Sequence, residues 1–253
     1  MTPSSVIAGH GLYDRGAASL VASWEAYVRG AQRAAVVRAP GVAAAVFPAG
    51  PERAIYNNAL LERELGCAAR RLAVDAMEDA YATAGVDRFA AWVHESDAAM
   101  MGELERRGYR LDETTRAMAM TLEDVDIAAV DIDVDVPTWP EYQRYLEHFG
   151  VAPGLLAHTD GSEFDVFAAR TEGQVIATSL AFDHDGDCGV YNVSTLEPMR
   201  RRGLGTALTA VQLHEAKRRA CTTASLQSTP IAERVYASLG FEDLGRIFEY
   251  VQP

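Results

Sequence analysis

The sequence predicts an α/β protein with a mixed sheet, built as two similar halves. Strand-like alternation and helical spacing follow one another along the whole chain. The second half contains three strands joined by short turns, which is typical of antiparallel hairpins, and continues with strands separated by helices. The order of elements in the first half returns in the second, which indicates a repeat.

In the first half, helical spacing begins near Asp14, where large apolar residues fall on one face. Gly85 and Gly108 follow two further helical segments and are placed to end them. The other predicted elements are, in order, a buried strand in "GVAAAVFPAG", a helix over 64–84, a strand in "FAAWVHE", a helix in "DAAMMGELERRG" and a strand in "TTRAMAMTLE".

The acidic stretch "EDVDIAAVDIDVDVPTWP" separates the halves, and we predict two domains, residues 1–125 and 126–253. A helix in "EYQRYLEHFG" opens the second. There follow strands in "FDVFAAR", "QVIATSLAFD" and "CGVYNVSTL", a helix over 203–219, a strand in "TASLQS", a helix in "PIAERVYASLG" and a strand in "LGRIFEYV". The turn "DHDGD" only superficially resembles a metal loop and is better explained as a hairpin.

The two halves share short sequences as well as element order. "YNNALLE" at 56–62 and "YNVSTLE" at 191–197 have Tyr, Asn, Leu and Glu at matching positions, and each precedes a helix, a strand, a helix and a Gly-aromatic pair. The spacing from Tyr to that Gly differs by only three residues. We infer an internal duplication.

The composition argues against several classes of function. The 253 residues carry a net charge of −13, which argues against a general nucleic-acid binder, because such proteins need an excess of Lys and Arg. The acidity favours a cationic substrate or serves solubility alone. Cys67, Cys188 and Cys221 show neither a disulfide framework nor a zinc pattern, so we expect no metal. Without a signal sequence or membrane-length apolar run, we expect a cytoplasmic protein with no membrane partner.

One stretch stands out against this acidity. "EPMRRRGLGTALTAVQLHEAKRR" places Arg200, Arg201 and Arg202 before Gly203 and Gly205 at the start of a helix. Glycines let the backbone close around an anion, and the helix N-terminus supplies amides and a favourable dipole. The arrangement suits a pyrophosphate; a glycine loop with solvated arginines is the alternative.

Two common phosphate motifs do not fit this stretch. A P-loop needs GxxxxGK[ST], but Thr-Ala-Leu follows Gly205. A dinucleotide fingerprint needs a third glycine where Leu208 stands, and the preceding strands form hairpins. Neither motif explains the loop.

The segment 200–205 resembles the [QR]xxGx[GA] acyl-CoA loop of the GNAT superfamily of N-acetyltransferases. "LQSTPIAERVYASLGF", residues 226–241, is similar to the closing strand and helix of that superfamily. The resemblance covers about 164–251 and implies a GNAT-like fold with acetyl-CoA as co-substrate.

The resemblance also implies roles for individual residues. Tyr236 stands where many members place the general acid that protonates the leaving thiolate, which is reasonable for a phenol. Thr229 replaces a frequent Asn. The residues implied to contact acetyl-CoA are Val193, Thr195, Arg200, Arg201, Arg202, Gly203, Leu204, Gly205, Thr206 and Thr229.

The general base is not evident from the sequence. Asn192, on the strand before the loop, cannot act as a base. Glu163, His158 and His184 are candidates, but each is better explained as an ordinary loop or turn residue. Deprotonation through water is the remaining alternative.

Aligned with the second half, the first half lacks both chemical positions. "RELGCAAR" has a single glycine and no arginine cluster, and Leu104 takes the place of Tyr236. We therefore interpret 1–125 as a degenerate GNAT-like unit. The leading hypothesis is an N-acetyltransferase that transfers directly from acetyl-CoA to a small amine; the alternatives are a non-catalytic acyl-CoA sensor and a duplicated scaffold without a ligand.

Overall fold

A computed structural model describes residues 3–49, 56–123 and 132–252, and of residues 3–10 it describes the backbone only. The chain divides into two compact units, each built from several segments. One unit consists of Met1–Ser23, Arg116–Pro153 and Gly161–Leu244. We call it the motif unit, because it holds residues 200–205, which we call the glycine loop. Trp24–Thr115, Gly154–Asp160 and Gly245–Pro253 form the companion unit.

The elements confirm most of the predicted order. The helices are α1 (Pro3–Val28), α2 (Cys67–Ala84), α3 (Ala98–Arg106), α4 (Trp139–Leu146), α5 (Leu204–Arg218) and α6 (Glu233–Ser238). The strands are β1 (Ala35–Ala39), β2 (Val42–Val46), β3 (Asn58–Leu61), β4 (Ala90–His94), β5 (Arg110–Thr121), β6 (Val134–Asp135), β7 (Asp165–Thr171), β8 (Gln174–His184), β9 (Asp187–Thr195), β10 (Thr223–Ser228) and β11 (Glu242–Val251).

In the companion unit the strand order is β1-β2-β3-β4-β11. The pairs are antiparallel except for β3 and β4, which are parallel and joined through α2. Helices α2 and α3 pack on this sheet around fully buried Met77, Tyr81, Met100 and Leu104. The crossover through a helix is what a parallel pair requires.

The motif unit repeats that pattern. Its strand order is β5-β10-β9-β8-β7-β6, with β9 and β10 as the parallel pair joined through α5. Its core gathers Met118, Leu213, Leu226, Tyr236 and Phe241 between sheet and helices. The chain is therefore an α/β protein with mixed sheets and a duplicated arrangement of strands.

Each unit is completed by a strand from the other half of the sequence. The segment Arg116–Thr121 of β5, from the first half, pairs with β10 in the motif unit. The end of β11, from the second half, pairs with β4 in the companion unit. Gly245 begins that segment of β11 with φ of 103°, a conformation that favours glycine.

Several local signals explain the elements that carry the site. Helix α4 begins with a complete capping box between Thr138 and Glu141. Asp185 and Gly186, both with positive φ, form the two-residue turn between β8 and β9, which confirms the hairpin predicted at "DHDGD". The predicted domain boundary after residue 125 lies in 124–131, outside the described residues.

Candidate functional site

Strands β9 and β10 diverge shortly after they meet. Their parallel register runs through Thr223↔Asp187, Ala224↔Cys188 and Ser225↔Gly189 and ends there. Beyond this point β9 continues to Thr195, and β10 continues to Ser228 with β5 as its partner. The two strands thus leave an opening in the sheet, which we call the β9–β10 opening.

A β-bulge lies on β9 at the side of this opening. The register with β8 changes from Leu180↔Tyr191 to Thr178↔Ser194, so Asn192 and Val193 together face Ser179. Asn192 has φ of 50°, the left-handed conformation that Asn tolerates better than most residues. A bulge disrupts the regular ladder and re-aims the backbone, and here it does so at Val193.

Two buried tyrosines of α4 hold the bulged strand. The Tyr142 hydroxyl accepts a hydrogen bond from the Asn192 side-chain amide at 3.0 Å. The Tyr145 hydroxyl donates to the Ser194 carbonyl at 3.0 Å. Burial raises the pKa of Tyr145, which therefore stays protonated and able to donate at neutral pH.

The glycine loop connects β9 to α5. Arg201 has φ of 61°, and Gly203, the N-cap residue of α5, has φ of 78°. Since Gly203 has no side chain to accept from the first helical amides, the N–H groups of Leu204, Gly205 and Thr206 receive no cap from it. The loop therefore presents backbone donors at the positive end of the helix dipole.

The two glycines act differently. Gly203 supplies the left-handed conformation. Gly205 has room for a β-carbon, which would meet only Cγ1 of Val193, at 3.8 Å. Because the protein itself leaves this space open, it is available to a ligand, and the same contact brings the loop next to the bulge on β9.

The three arginines surround this loop at the surface. Arg200 donates from Nε to the Thr195 carbonyl at 3.2 Å, which fixes its stem beside the end of β9. Arg201 and Arg202 are exposed, and neither has an ion pair among the described residues. Their charge is thus free to interact with an anion at the loop.

Tyr236 lies in the short helix α6 and is 7% exposed. It packs edge-on against Phe241, with ring centroids 5.9 Å apart, in the same hydrophobic cluster that Val193 borders. Burial raises the pKa of Tyr236 to about 12, so its hydroxyl is protonated at neutral pH. Val193 therefore has two neighbours: its side chain faces Gly205, and it borders the hydrophobic cluster that holds Tyr236.

The other predicted site residues show no contact with the glycine loop or with Tyr236 among the described interactions. Thr229 is exposed, in the turn before α6, where its carbonyl accepts from Ala232 at 2.9 Å. Of the base candidates, Glu163 and His184 belong to the motif unit, while His158 lies in a turn of the companion unit. His184 faces Asp185 at 3.6 Å. These surroundings mark none of the three as a base.

Some features of the site were not predicted from the sequence. Neither the bulge nor the two tyrosines that hold β9 were predicted, although Asn192 is a residue type that enters the left-handed conformation readily. Among the described residues, no cluster of His, Cys, Asp or Glu is arranged to hold a metal, and no helix is long and apolar enough to cross a bilayer.

Comparison with known proteins agrees with this geometry. Residues 162–243 match the model of the family described as Acetyltransferase (GNAT) domain. No curated protein matches the sequence. A GCN5-related N-acetyltransferase from Kribbella flavida has a similar structure, with a TM-score of 0.67 at 20% identity, over 94% of this chain and 95% of that one.

Two further solved structures share the fold over most of the chain. One is a GCN5-related N-acetyltransferase from Sphaerobacter thermophilus, with a TM-score of 0.60 at 20% identity, over 87% of this chain and 80% of that one. The other is a tandem GNAT protein from the clavulanic acid biosynthesis pathway, with a TM-score of 0.57 at 14% identity, over 85% and 81%. Residues 162–243 therefore match the GNAT acetyltransferase domain, and the chain shares its fold with solved GNAT structures, one of them a tandem protein.

Proposed function

We propose that this protein is an N-acetyltransferase that transfers the acetyl group of acetyl-CoA directly to the primary amine of a small acceptor. The observation that carries the proposal is the β9–β10 opening with the glycine loop at the end of β9. An extended chain can enter such an opening like an added strand, and an anion can sit on the loop at its mouth.

Acetyl-CoA has both features in the required order. Its pyrophosphate would accept hydrogen bonds from the amides between Arg201 and Thr206, with Arg200, Arg201 and Arg202 adding positive charge. Its pantetheine arm would run along β9 and bond to the backbone of Val193 and Thr195. The thioester would then lie near the bulge.

The chemistry follows from this placement. The nitrogen of a neutral amine attacks the thioester carbonyl, and the negative charge that develops on the carbonyl oxygen is stabilised by a backbone N–H of the bulged strand. The carbon–sulfur bond breaks, and the CoA thiolate takes the proton of Tyr236. The proton that the nitrogen loses on forming the amide passes through water to the Tyr236 phenolate, which restores the phenol. Because the pKa of Tyr236 is raised to about 12, the phenol is fully protonated when the thiolate forms.

Calorimetry with acetyl-CoA, followed by measurement of CoA release over a panel of amines, tests the proposal. We expect one-to-one binding and release that depends on a particular amine. Absence of binding would refute the whole proposal. Binding without release for any class of amine would refute the enzyme and favour a protein that senses acyl-CoA.

A further inference from the structure

Arg116 lies on the strand that the first half of the sequence contributes to the motif unit. It stands opposite Ser228 in the antiparallel register of β5 and β10, at the last residue of β10. Its side chain is only 17% exposed. A charged group at such a position is stable only when carboxylates compensate it.

Two carboxylates do so, and they flank the segment that carries Tyr236. Nε of Arg116 lies 3.1 Å from Oε2 of Glu233, the first residue of α6. Nη1 of Arg116 donates to Oδ2 of Asp243, the second residue of β11. Hydrogen bonding to Asp243, with a smaller contribution from Glu233, raises the pKa of Arg116, so the guanidinium keeps its charge.

Helix α6 needs such a restraint. It has six residues, and its N-cap residue Ala232 makes no side-chain cap. A helix this short is not stable by itself, and Ala is a poor cap. Tyr236 is its single buried residue among those described, so α6 is held by that ring and by the pairing of Glu233 with Arg116.

We propose that Arg116 is a positioning residue, which fixes both ends of the segment from Glu233 to Asp243 and thereby holds the Tyr236 ring in the hydrophobic cluster that Val193 of β9 borders. The proposal rests on the catalytic role proposed for Tyr236. It assigns to the first half of the sequence a part in the chemistry of the second, through one strand.

The test compares Arg116→Met with Arg219→Met. Arg219 pairs with Asp183 and Asp165 in the same unit, at 2.6 and 3.2 Å, and so serves as a matched control for the loss of a double ion pair. We expect Arg116→Met to lower kcat by roughly 10- to 100-fold, since a misplacement of about 1 Å can cost about 100-fold, with KM for acetyl-CoA nearly unchanged. Arg219→Met should leave kcat unchanged, and Arg116→Lys should restore part of the activity.

A double-mutant cycle shows whether Arg116 acts through Tyr236. In the Tyr236→Phe background, Arg116→Met should have no further effect on kcat. Equal losses in both backgrounds, or a loss of kcat in Arg219→Met as large as in Arg116→Met, would overturn the proposal. If Arg116→Met does not fold, Asp243→Asn removes one carboxylate only, and an unchanged kcat in that variant would also overturn it.

Hydrogen exchange tests the restraint of α6 independently of the catalytic role of Tyr236. Amides of the peptide 230–241 should exchange faster in Arg116→Met than in the parent, because α6 loses its restraint. Unchanged exchange would refute the positioning of α6. Faster exchange together with full activity of Tyr236→Phe would refute the catalytic role of Tyr236 and leave the restraint of α6 standing.

Discussion

Among the described residues, β3 with β4 and β9 with β10 form parallel pairs of the same topology, but the two pairs differ in how far their strands stay together. In the duplicated sequences, positions 58–60 correspond to 193–195. In β3, Asn58, Ala59 and Leu60 are paired directly with β4. In β9, the corresponding residues lie beyond the end of the register with β10. The first pair is closed where the second is open, so the same topology leaves an opening in only one of the two pairs.

The loop between β3 and α2 is also filled by the protein, whereas the loop between β9 and α5 is open. In the first repeat, the N–H of Glu64 donates to the Asp97 carboxylate at 3.1 Å, and Leu65 packs against Gly41. A protein carboxylate and an apolar side chain thus occupy the loop that precedes α2. In the second repeat the loop carries Gly203 and Gly205, with arginines beside them. The loop of the first repeat thus satisfies a backbone donor from within the protein, whereas the N-cap residue of α5 in the second repeat leaves its first helical donors uncapped.

Replacing Tyr236 with Phe should have the largest effect, because it removes the general acid proposed for the motif unit. Since general acid catalysis is worth about 10²- to 10⁴-fold, we expect kcat to fall within that range while binding of acetyl-CoA is kept. Steady-state kinetics and calorimetry measure the two effects. Tyr81→Phe is the control, because Tyr81 is a buried tyrosine of the companion unit whose hydroxyl donates to the Ala45 carbonyl.

The pH profile sharpens the same test. Because the pKa of Tyr236 is raised to about 12, the acid is present below that value and is lost only as the pH rises through it. The activity of the parent should therefore show no loss from this group up to about pH 10, the pKa of a free phenol. An alkaline limb at lower pH that disappears in Tyr236→Phe would contradict this assignment.

Gly205→Val should turn the open loop into a closed one. The added side chain would occupy the space that Gly205 leaves for the anion, and we expect acetyl-CoA binding to weaken on the order of 100-fold, or roughly 2.7 kcal/mol. Calorimetry measures the loss, and thermal unfolding checks the fold. Gly66→Val is the matched control at the start of α2, where a β-carbon has nothing within 4 Å; equal binding by both variants and the parent would exclude the loop as the site.

Asn57 and Asn192 occupy equivalent positions and should respond differently to replacement by Ala. Asn57 is buried and bonds through its side chain to the backbone N–H and carbonyl of Phe47, at 2.7 and 3.3 Å. Its loss should reduce the free energy of unfolding by about 2 kcal/mol, because buried backbone groups lose their partners. Asn192 is exposed, so Asn192→Ala should cost less. Denaturant unfolding distinguishes them; equal costs would contradict this reading.

The smallest effect concerns the exposed arginines. Arg201→Ala and Arg202→Ala should each weaken acetyl-CoA binding about threefold at low salt, because exposed charges contribute under 1 kcal/mol. Added salt should reduce the difference from the parent. Arg71→Ala, an exposed arginine in α2, is the control. A salt-independent loss would mean that these side chains act by contact and not by charge.

Local patterns predicted most of the elements, and the misses have physical reasons. Helix α1 was expected from Asp14 and begins at Pro3. Strand β1 was not predicted, since its residues are mainly exposed and show no alternation. Strand β3 has only four residues, and β6 has two. The predicted helix at 230–240 is shorter, over Glu233–Ser238, because Pro230 and the turn at Thr229 precede it.

The sequence by itself determined the α/β class, the duplication, the glycine loop and the position of Tyr236. These depend on residues close together along the chain, where spacing and backbone preference act directly. Only the tertiary structure decided the exchange of β5 and β11, the closure of β3 on β4, the bulge at Asn192 and the pairing of Arg116 with Glu233. Strand register and ion pairs between distant segments depend on how the whole chain packs, and no local pattern specifies them.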